Sequence, residues 1–287
     1  MRLKDIYNSN KTQISFEVFP PKGEDKAQKI DNLISELKVL KKYNPALISI
    51  TYGACGTNRE STIEIAKRIK SEVGVIPMQH FTCICSQKQY IQDYLNEIEE
   101  MGLENILALK GDEPKDNLVC YRDFQYANEL VEFIREKSNL DIAVAGYPEK
   151  HPSAESLDED IKNLKKKCDA GASVIFTQMF FENDNFYKYC DKVRKIGINL
   201  PIVAGIFPIS DYKQIRKIAE MSGAYLPPKM LEKLEKYQNS KEDIMKFSIE
   251  YSINQCQELV ENGVSGLHFY TLNKSYMTGE IIKNLSL

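Results

Sequence analysis

The chain has 287 residues, of which 43% are hydrophobic, and its formal net charge is -3. This length suits one large α/β domain, and the negative charge gives no electrostatic basis for binding nucleic acid. Lys and Arg are intermixed with Glu and Asp along the predicted helices, as is typical of solvated helix faces. We therefore expect a single domain over residues 1–287 and no nucleic-acid partner.

The amino-terminal residues and the cysteines predict the cellular compartment. The first residues lack the apolar core of a signal peptide, and no apolar run is long enough to cross a bilayer. The seven cysteines include no CxxC pair that would indicate a zinc or iron–sulfur site. We expect free thiols, no bound metal, no membrane attachment and a cytoplasmic location.

Short apolar runs, each followed by an amphipathic helical stretch, recur along the chain. A strand buried on both faces has such a continuous apolar run, and strands that alternate with helices pair in parallel. Eight units of this kind close into a barrel whose chemistry lies at the carboxyl ends of the strands. The sequence therefore predicts an α/β fold, a single (β/α)8 TIM barrel, with strands at residues 14–19, 47–51, 75–83, 106–109, 142–147, 174–178, 201–206 and 266–270.

Several segments between these runs carry apolar residues at helical spacing. Residues 30–37, 91–98 and 127–134 each form an apolar stripe that would pack on the outside of the barrel. Nearer the carboxyl terminus, Pro227 and Pro228 are expected to open a short helix, and Ser240 is expected to cap a second. The last helix should follow Asn273.

Glu17 is an acid within the apolar segment ISFEVF. Strand alternation places Ser15, Glu17 and Phe19 on the same side of the first strand. There Glu17 would face the barrel mouth or be buried, and burial favours the protonated form that a general acid requires. The alternative is a structural Glu that pairs with Lys22 or Lys274. The position at a barrel strand end favours a functional role.

Other polar residues also fall at the ends of predicted strands. Gly111 would let the backbone approach a ligand closely and Asp112 would point into the mouth, although a plain turn is the alternative. All three histidines fall in or just after strands, either as core residues or as catalysts, and they lack metal-ligand spacing. These strand-end candidates are Thr51, His80, Asp112, Tyr147, His151, Gln178 and His268.

A polar helix face follows the fifth strand. Asp160, Asn163 and Lys167 share this face through their helical spacing. An acid, an amide and a cation together can bind a ribose and a pyrophosphate, and solvated surface is the alternative. The chain has no GxGxxG after the first strand, no Walker loop and no GxSxG elbow. A redox cofactor would therefore be held by the barrel mouth itself.

These candidates fall within short motifs that occur in order over nearly the whole chain. The motifs are ISFEVFPPK from residue 14, ISITYGA from 48, HFTC from 80, NILALKGD from 105, AGYPE from 145, DAGA from 169, TQMFF from 177, GIFP from 205 and HFYTLN from 268. Together they resemble the methylenetetrahydrofolate reductase family, in its short bacterial type with the catalytic barrel alone. The resemblance implies a (β/α)8 barrel with FAD at the strand ends.

The resemblance also implies a reaction in two halves. A reduced nicotinamide gives hydride to FAD and leaves, and methylenetetrahydrofolate then takes its place and is reduced to methyltetrahydrofolate. NADH and NADPH remain open as the donor, as does a homo-oligomeric assembly. The alternatives are a flavin barrel that oxidises proline and an electron-relay subunit that takes its electrons from a donor protein.

Site residues are implied position by position. Glu17 matches the acid that protonates the folate amine as its ring opens. Asp112 matches a carboxylate beside the flavin and the pterin, where its charge disfavours anionic reduced flavin. Folate contacts fall to Glu17, Asp112, Gln178, Gln214 and Lys274. The cofactor-binding positions are Thr51, His80, Lys110, Gly111, Asp112, Tyr126, Ala127, Tyr147, His151, Ala154, Asp160, Asn163, Lys166 and Lys167.

The chain departs from the family pattern at three positions. Lys110 stands where Arg is usual, which keeps the charge but loses the forked hydrogen-bonding geometry. Cys55 stands in a loop where a glycine or a small polar residue is usual. Ile218 stands where some members place an aromatic residue that stacks on the substrate. The last two leave the hydride source open.

Overall fold

Eight parallel strands close into one barrel, which confirms the predicted fold class. The structure, a computed structural model, describes residues 1–9, 11–52, 59–113 and 122–287. All predicted strands are present, with bounds that differ from the expected ones by at most two residues at either end. They are β1 (Gln13–Val18), β2 (Leu47–Ile50), β3 (Pro77–Thr82), β4 (Asn105–Leu109), β5 (Asp141–Gly146), β6 (Val174–Met179), β7 (Ile202–Ile206) and β8 (Gly266–Tyr270).

The strand register brings distant residues to one level of the barrel. Each strand pairs with the next along the chain, and β1 also pairs with β8 to close the ring. Glu17 lies opposite Ser49 on one side and opposite Tyr270 on the other. The register between β6 and β7 shifts between Phe176 and Met179, so this part of the wall is irregular just below the mouth.

Helices surround the barrel between the strands. Pro228 opens its helix at the first position, and the Ser240 Oγ accepts a hydrogen bond from Asp243 N at 3.3 Å, so both helix starts predicted near the carboxyl terminus are confirmed. The helices are α1 (Leu3–Tyr7), α2 (Lys26–Leu40), α3 (Arg59–Arg68), α4 (Lys88–Glu100), α5 (Ala127–Lys137), α6 (Leu157–Asp169), α7 (Asn183–Lys195), α8 (Tyr212–Ser222), α9 (Pro228–Lys236), α10 (Lys241–Glu261) and α11 (Tyr276–Lys283).

The main core lies between the barrel and its helices. Phe16 and Val18 of β1 point outward into this core, as the strand alternation predicts. The predicted apolar stripes pack against them from the helices, and Ile30, Leu95 and Ile134 are all buried there. Ser15 and Glu17 are thereby left on the inner side of the barrel.

The short helix α1 was not expected from the sequence. Its residues Leu3, Ile6 and Tyr7 are buried inside the amino-terminal end of the barrel, and the Tyr7 ring meets Phe176 edge to face at 5.6 Å. The Leu3 N–H donates to the Asn105 Oδ1 at 3.0 Å, which ties the helix to β4. Because α1 fills this end, the carboxyl ends of the strands form the open mouth.

The cysteines depart in part from the expectation of free thiols. Cys83, Cys168, Cys190 and Cys256 are free, whereas Cys85 is disulfide-bonded. Cys85 is therefore oxidised, which the odd number and the spacing of the cysteines did not indicate. Cys55, one of the three departures from the family pattern, lies outside the described residues.

None of the helices within the described ranges combines the length and the apolar character needed to span a bilayer.

Candidate active site

Two adjoining cavities open at the mouth of the barrel. The inner cavity, of about 200 Å³, lies over the barrel axis and is lined by His80, Tyr147 and His268 among others. The outer cavity, of about 210 Å³, lies toward α8 and is lined by residues that include Phe207, Ile218 and Leu272. Three side chains line both cavities, namely Glu17, Gln178 and Tyr270. A ligand in either cavity would therefore meet the Glu17 carboxyl group.

Glu17 lies between two imidazoles. Its Oε2 is 3.6 Å from His80 Nε2 and 3.6 Å from His268 Nε2, and its side chain is 19% exposed toward the mouth. Lys274, the predicted structural partner, instead lies 3.5 Å from Glu36 Oε1. Among the described residues, the basic side chains within 4 Å of the Glu17 carboxyl group are histidines and not lysines. The carboxyl group is thus free to face a ligand.

The Ser49 hydroxyl connects the two imidazoles beneath Glu17, and the Ser15 hydroxyl contacts one of them. Ser49 Oγ lies 3.0 Å from His80 Nε2 and 3.3 Å from His268 Nε2, and Ser15 Oγ lies 2.8 Å from His268 Nδ1. Burial lowers the pKa of His80 to about 4, although the Glu17 carboxylate opposes this shift. His80 is therefore neutral near pH 7 and takes no proton from Glu17 there.

Sequence reasoning did not identify Ser15 and Ser49 as members of the site. Strand alternation placed Ser15 on the same side as Glu17, which was the available signal. Ser49 lies opposite Glu17 across the β1–β2 pair, so its role depends on the register and not on local sequence. Two of the three histidines, His80 and His268, do converge on Glu17.

Gly111 lies where a side chain could not fit. Its φ is +90°, and a Cβ there would lie 2.7 Å from Ile84 Cγ2 and 2.8 Å from Thr82 Cβ. The backbone after β4 therefore packs directly on the end of β3, and Asp112 follows in an exposed position. Lys110 pairs with Glu113, with Nζ and Oε1 3.2 Å apart.

The segment after β5 folds over α6. The ring of Tyr147 meets that of His151 edge to face at 4.7 Å. His151 N–H donates to Asp160 Oδ2 at 3.0 Å, and Lys167 Nζ donates to Ala145 O at 2.6 Å. Burial lowers the pKa of Lys167, although the Asp160 carboxylate opposes this shift. Of the three residues on the predicted polar face, Asp160 thus binds the segment after β5 and Lys167 binds the end of β5 itself.

The charge on Asp112 acts on the two rings of the segment after β5, Tyr147 and His151. Burial raises the pKa of Tyr147 to about 12, and the carboxylates of Asp160 and Asp112 act in the same direction. Burial also lowers the pKa of His151, and both carboxylates oppose that shift. Asp112 therefore lies close enough to act electrostatically on both rings, so the ends of β4 and β5 form one polar wall.

The remaining predicted positions lie further out. Thr51 and Ala154 are partly buried at the mouth, and Ala154 O accepts from Lys150 Nζ at 2.7 Å. Asn163 pairs with Lys166 Nζ at 2.9 Å on the solvent side of α6. The other four lie at the start of α5 or at the rim, with exposed side chains except for the partly buried Ala127: Tyr126, Ala127, Gln214 and Lys274. Neither Gln214 nor Lys274 lines the two cavities.

A further cavity, of about 440 Å³, lies on the outer wall between α7 and α10. Its lining contains none of the strand-end candidates, and Glu182, Asp184 and Glu258 make it acidic. This cavity is larger than either mouth cavity, but its size alone does not identify it as the active site. The active centres of barrels of this type lie at the carboxyl ends of the strands, and Glu17 lies there.

A closed parallel barrel with an acid between two imidazoles at its mouth defines a TIM-barrel protein whose candidate active site lies at its strand ends. The sequence matches the methylenetetrahydrofolate reductase family over residues 2–286, and the chain belongs to this family. The family assignment favours neither the proline-oxidising barrel nor the electron-relay subunit.

Curated relatives show how much of each protein is shared. The chain is 37% identical to methylenetetrahydrofolate reductase (NADH) 1 of Arabidopsis thaliana and covers 50% of that protein. It is 34% identical to 5,10-methylenetetrahydrofolate reductase of Escherichia coli K12, with 96% of this chain and 90% of that protein covered. The chain thus spans about half the length of the plant relatives and most of the bacterial ones.

Solved structures of low sequence identity share the fold. An uncharacterized protein from Clostridium thermocellum that binds two copies of 5-methyl-5,6,7,8-tetrahydrofolic acid superposes with a TM-score of 0.69 at 13% identity, covering 98% of this chain and 96% of that one. Dihydropteroate synthase of Xanthomonas albilineans gives a TM-score of 0.55 at 11% identity, covering 95% and 91%. At these identities the likeness extends to the fold alone.

Proposed function

We propose that the protein reduces 5,10-methylenetetrahydrofolate to 5-methyltetrahydrofolate, with FAD carrying hydride from a reduced nicotinamide. The observation that carries this proposal is the position of Glu17 on the shared wall of the two mouth cavities. A proton donor there can serve a substrate that occupies the outer cavity next to a cofactor in the inner one. The family membership and the methyltetrahydrofolate bound by the Clostridium neighbour support the same substrate class.

The residues at the mouth fit FAD. Thr82 Oγ1 is buried without a hydrogen-bond partner within the described part of the chain, so it can donate a hydrogen bond to a bound group or accept one from it. It lies beside Gly111, whose lack of a side chain lets the ends of β3 and β4 pack closely there. The polar wall of Asp112, Tyr147 and His151 continues to Asp160, which can hold a ribose hydroxyl. When bound, FAD supplies a centre that accepts and releases hydride, a chemistry that protein side chains lack.

Glu17 would supply the proton. Its carboxyl group would protonate the folate amine as the ring opens, leaving a carbon that can accept hydride. His80 and His268 contact the Oε2 of the carboxyl group from below, and Glu17 lines both cavities on its other side. Gln178 lies on the same wall and offers an amide to orient the pterin. The negative charge of Asp112 would disfavour the anionic form of the reduced flavin.

NADH is the proposed hydride source, because the plant relatives are named as NADH enzymes. Bleaching of the flavin absorbance by NADH and by NADPH, each in the absence of oxygen, tests this choice. Faster bleaching by NADPH would contradict it. Bleaching by neither nicotinamide, with FAD intact, would favour a donor protein instead.

The test of the acid role is the substitution Glu17→Gln. We expect flavin reduction by the nicotinamide to persist, whereas reoxidation of the flavin by methylenetetrahydrofolate falls by about 10²-fold or more, as for loss of a general acid. Stopped-flow absorbance of the flavin separates the two half-reactions. Glu24→Gln, an exposed acid seven positions along the chain, is the matched control and should change neither.

Two results would contradict the proposal. A protein that is colourless and cannot be reconstituted with FAD is not this reductase. If Glu17→Gln slows both half-reactions equally, Glu17 has a structural role and not the role of a proton donor. Oxidation of proline without activity on folate would restore the alternative barrel function.

A further inference from the structure

We propose that Glu149 is a positioning residue that fixes the connection between α8 and α9 and thereby sets the shape of the outer cavity for the folate substrate. The α8–α9 connection comprises residues 223–227, between the end of α8 and the start of α9. This inference rests on the proposed function, since it assigns the outer cavity to the folate.

The Glu149 carboxylate joins three segments that are far apart in the chain. Its Oε2 accepts from Tyr225 N–H at 2.7 Å, and its Oε1 accepts from Asn185 Nδ2 at 2.7 Å. Glu149 itself lies in a tight turn after β5, in which Lys150 N–H donates to Tyr147 O at 3.1 Å. The carboxylate therefore links the segment after β5 with the start of α7 and with the α8–α9 connection.

The electrostatics indicate that geometry, and not charge pairing, accounts for this acid. Burial raises the pKa of the Glu149 carboxyl, and the carboxylate of Glu182 adds to the rise. Within the described residues, the groups that oppose this shift are the donors Tyr225 and Asn185, and no cation contributes. A half-buried carboxylate without a cation is costly unless its hydrogen bonds are made. Its two donors therefore define its role.

Close packing carries the position of Glu149 to the cavity. The crevice between residues 147–150 and 222–224 is too narrow to hold water. Gly223 has a φ of +74°, and a Cβ there would lie 3.3 Å from Pro152 Cγ. The last turn of α8, immediately before Gly223, supplies Ile218 and Ser222 to the outer cavity. A shift of the connection would therefore move one wall of that cavity directly.

Substitutions at the two side chains separate geometry from charge. Glu149→Ala leaves both donors without an acceptor. Asn185→Asp replaces the amide donor with a second carboxylate, which repels the Glu149 carboxylate. In the double variant Glu149→Gln with Asn185→Asp, the introduced amide nitrogen can donate to the introduced carboxylate, while the amide oxygen still accepts from Tyr225 N–H. The double variant thus restores both bonds with the negative charge moved to the other side chain.

The experiment measures steady-state kinetics of the FAD-loaded enzyme with methylenetetrahydrofolate. We expect Glu149→Ala and Asn185→Asp each to raise the KM for the folate by about 10-fold or more, as a displaced binding wall does, with kcat near the wild-type value. The double variant should return the KM close to that of the wild type. The flavin absorbance spectrum should be the same throughout, because the inner cavity is unchanged.

Glu99→Ala is the matched control. Glu99 is also a half-buried carboxylate, and its Oε1 accepts from the Asn139 N–H at 2.8 Å, but it lies at the amino-terminal end of the barrel. We expect this variant to lose stability without a change in KM.

The inference fails if Glu149→Ala raises the KM no more than Glu99→Ala does, or if the double variant behaves like Asn185→Asp alone. The second comparison still decides the question if Glu149→Ala does not fold. A wild-type enzyme whose reduced flavin is not reoxidised by methylenetetrahydrofolate would instead overturn the proposed function itself.

Discussion

At the scale of single residues, His80 shows how the barrel controls protonation near Glu17. The imidazole is fully enclosed, with Glu17 on one side and the Ser49 hydroxyl on another. Burial lowers its pKa from 6.5 to about 4, so the folded protein resists protonating a group that the unfolded chain protonates readily. The strand end therefore offers Glu17 a neutral neighbour over the physiological range.

The pKa of His80 predicts an acid-sensitive stability. Between about pH 6.5 and pH 4 the unfolded chain binds a proton that the folded chain does not, so the free energy of unfolding falls as the pH falls. From about pH 7 to pH 5 the loss from His80 is about 2 kcal/mol. Urea unfolding of the wild type and of His80→Asn at both pH values, with FAD saturating, measures it. Equal pH dependence in the two proteins would contradict the prediction.

At the scale of elements, the end of β5 depends on a close approach to α7. A Cβ on Gly146 would lie 2.1 Å from Tyr189 Oη and 2.8 Å from Ile175 Cγ2. The Tyr189 hydroxyl is buried and has no hydrogen-bond partner among the described residues. Glycine at the end of β5 thus allows an aromatic ring of the neighbouring helix to fill the space directly behind Tyr147.

Gly146→Ala should therefore destabilise the protein by about 1–3 kcal/mol, the cost of overpacking a core. The same substitution in a Tyr189→Phe background should cost less, because the nearest clashing atom is gone. Tyr189→Phe alone should be neutral or stabilising, since the hydroxyl it removes makes no hydrogen bond within the described part of the chain. Midpoints of urea unfolding test all three variants. An equal cost of Gly146→Ala in both backgrounds would show that the clash is relieved elsewhere.

The strands and most helices could be predicted because their signals are local. The apolar run around Glu17 fixes both the strand and the side on which the acid lies, and Ser240 caps its helix by the usual sequence rule. Contacts between distant residues could not be predicted in this way. Glu149 and Tyr225 meet across 76 positions, and their hydrogen bond depends on how two segments pack at the mouth.

At the scale of the whole molecule, the two ends of the barrel differ, since one is filled by packed side chains and the other holds the cavities. The amino-terminal end is closed by α1, whose Leu3 is fully buried, and the carboxyl end carries the cavities around Glu17. The sequence did not reveal α1, because a helix of five residues is too short to show a periodic pattern. We propose that residues 1–287 nevertheless act as one catalytic domain, since β1 and β8 pair directly.

This division predicts that stability and substrate binding can be changed separately. Leu3→Ala should lower the free energy of unfolding by about 2–5 kcal/mol, as large-to-small changes in cores do, in a single cooperative transition. The KM for the proposed folate substrate should stay at the wild-type value. Lys4→Ala, at an exposed position of the same helix, is the control and should change neither quantity. Two separate unfolding transitions would contradict the single domain.

The serine between the two imidazoles has one hydrogen to share. When both rings are neutral, Ser49 can donate to only one of them, so the other must carry its proton on Nε2. If Ser49 donates to the His268 Nε2, the His268 Nδ1 carries the ring hydrogen and donates it to Ser15 Oγ. If Ser49 donates to His80 instead, the His268 Nδ1 carries no hydrogen and accepts one from Ser15 Oγ. The tautomer of His80 is thereby linked to the hydroxyl orientation on β1, and the ring ¹⁵N shifts of the two histidines should change together.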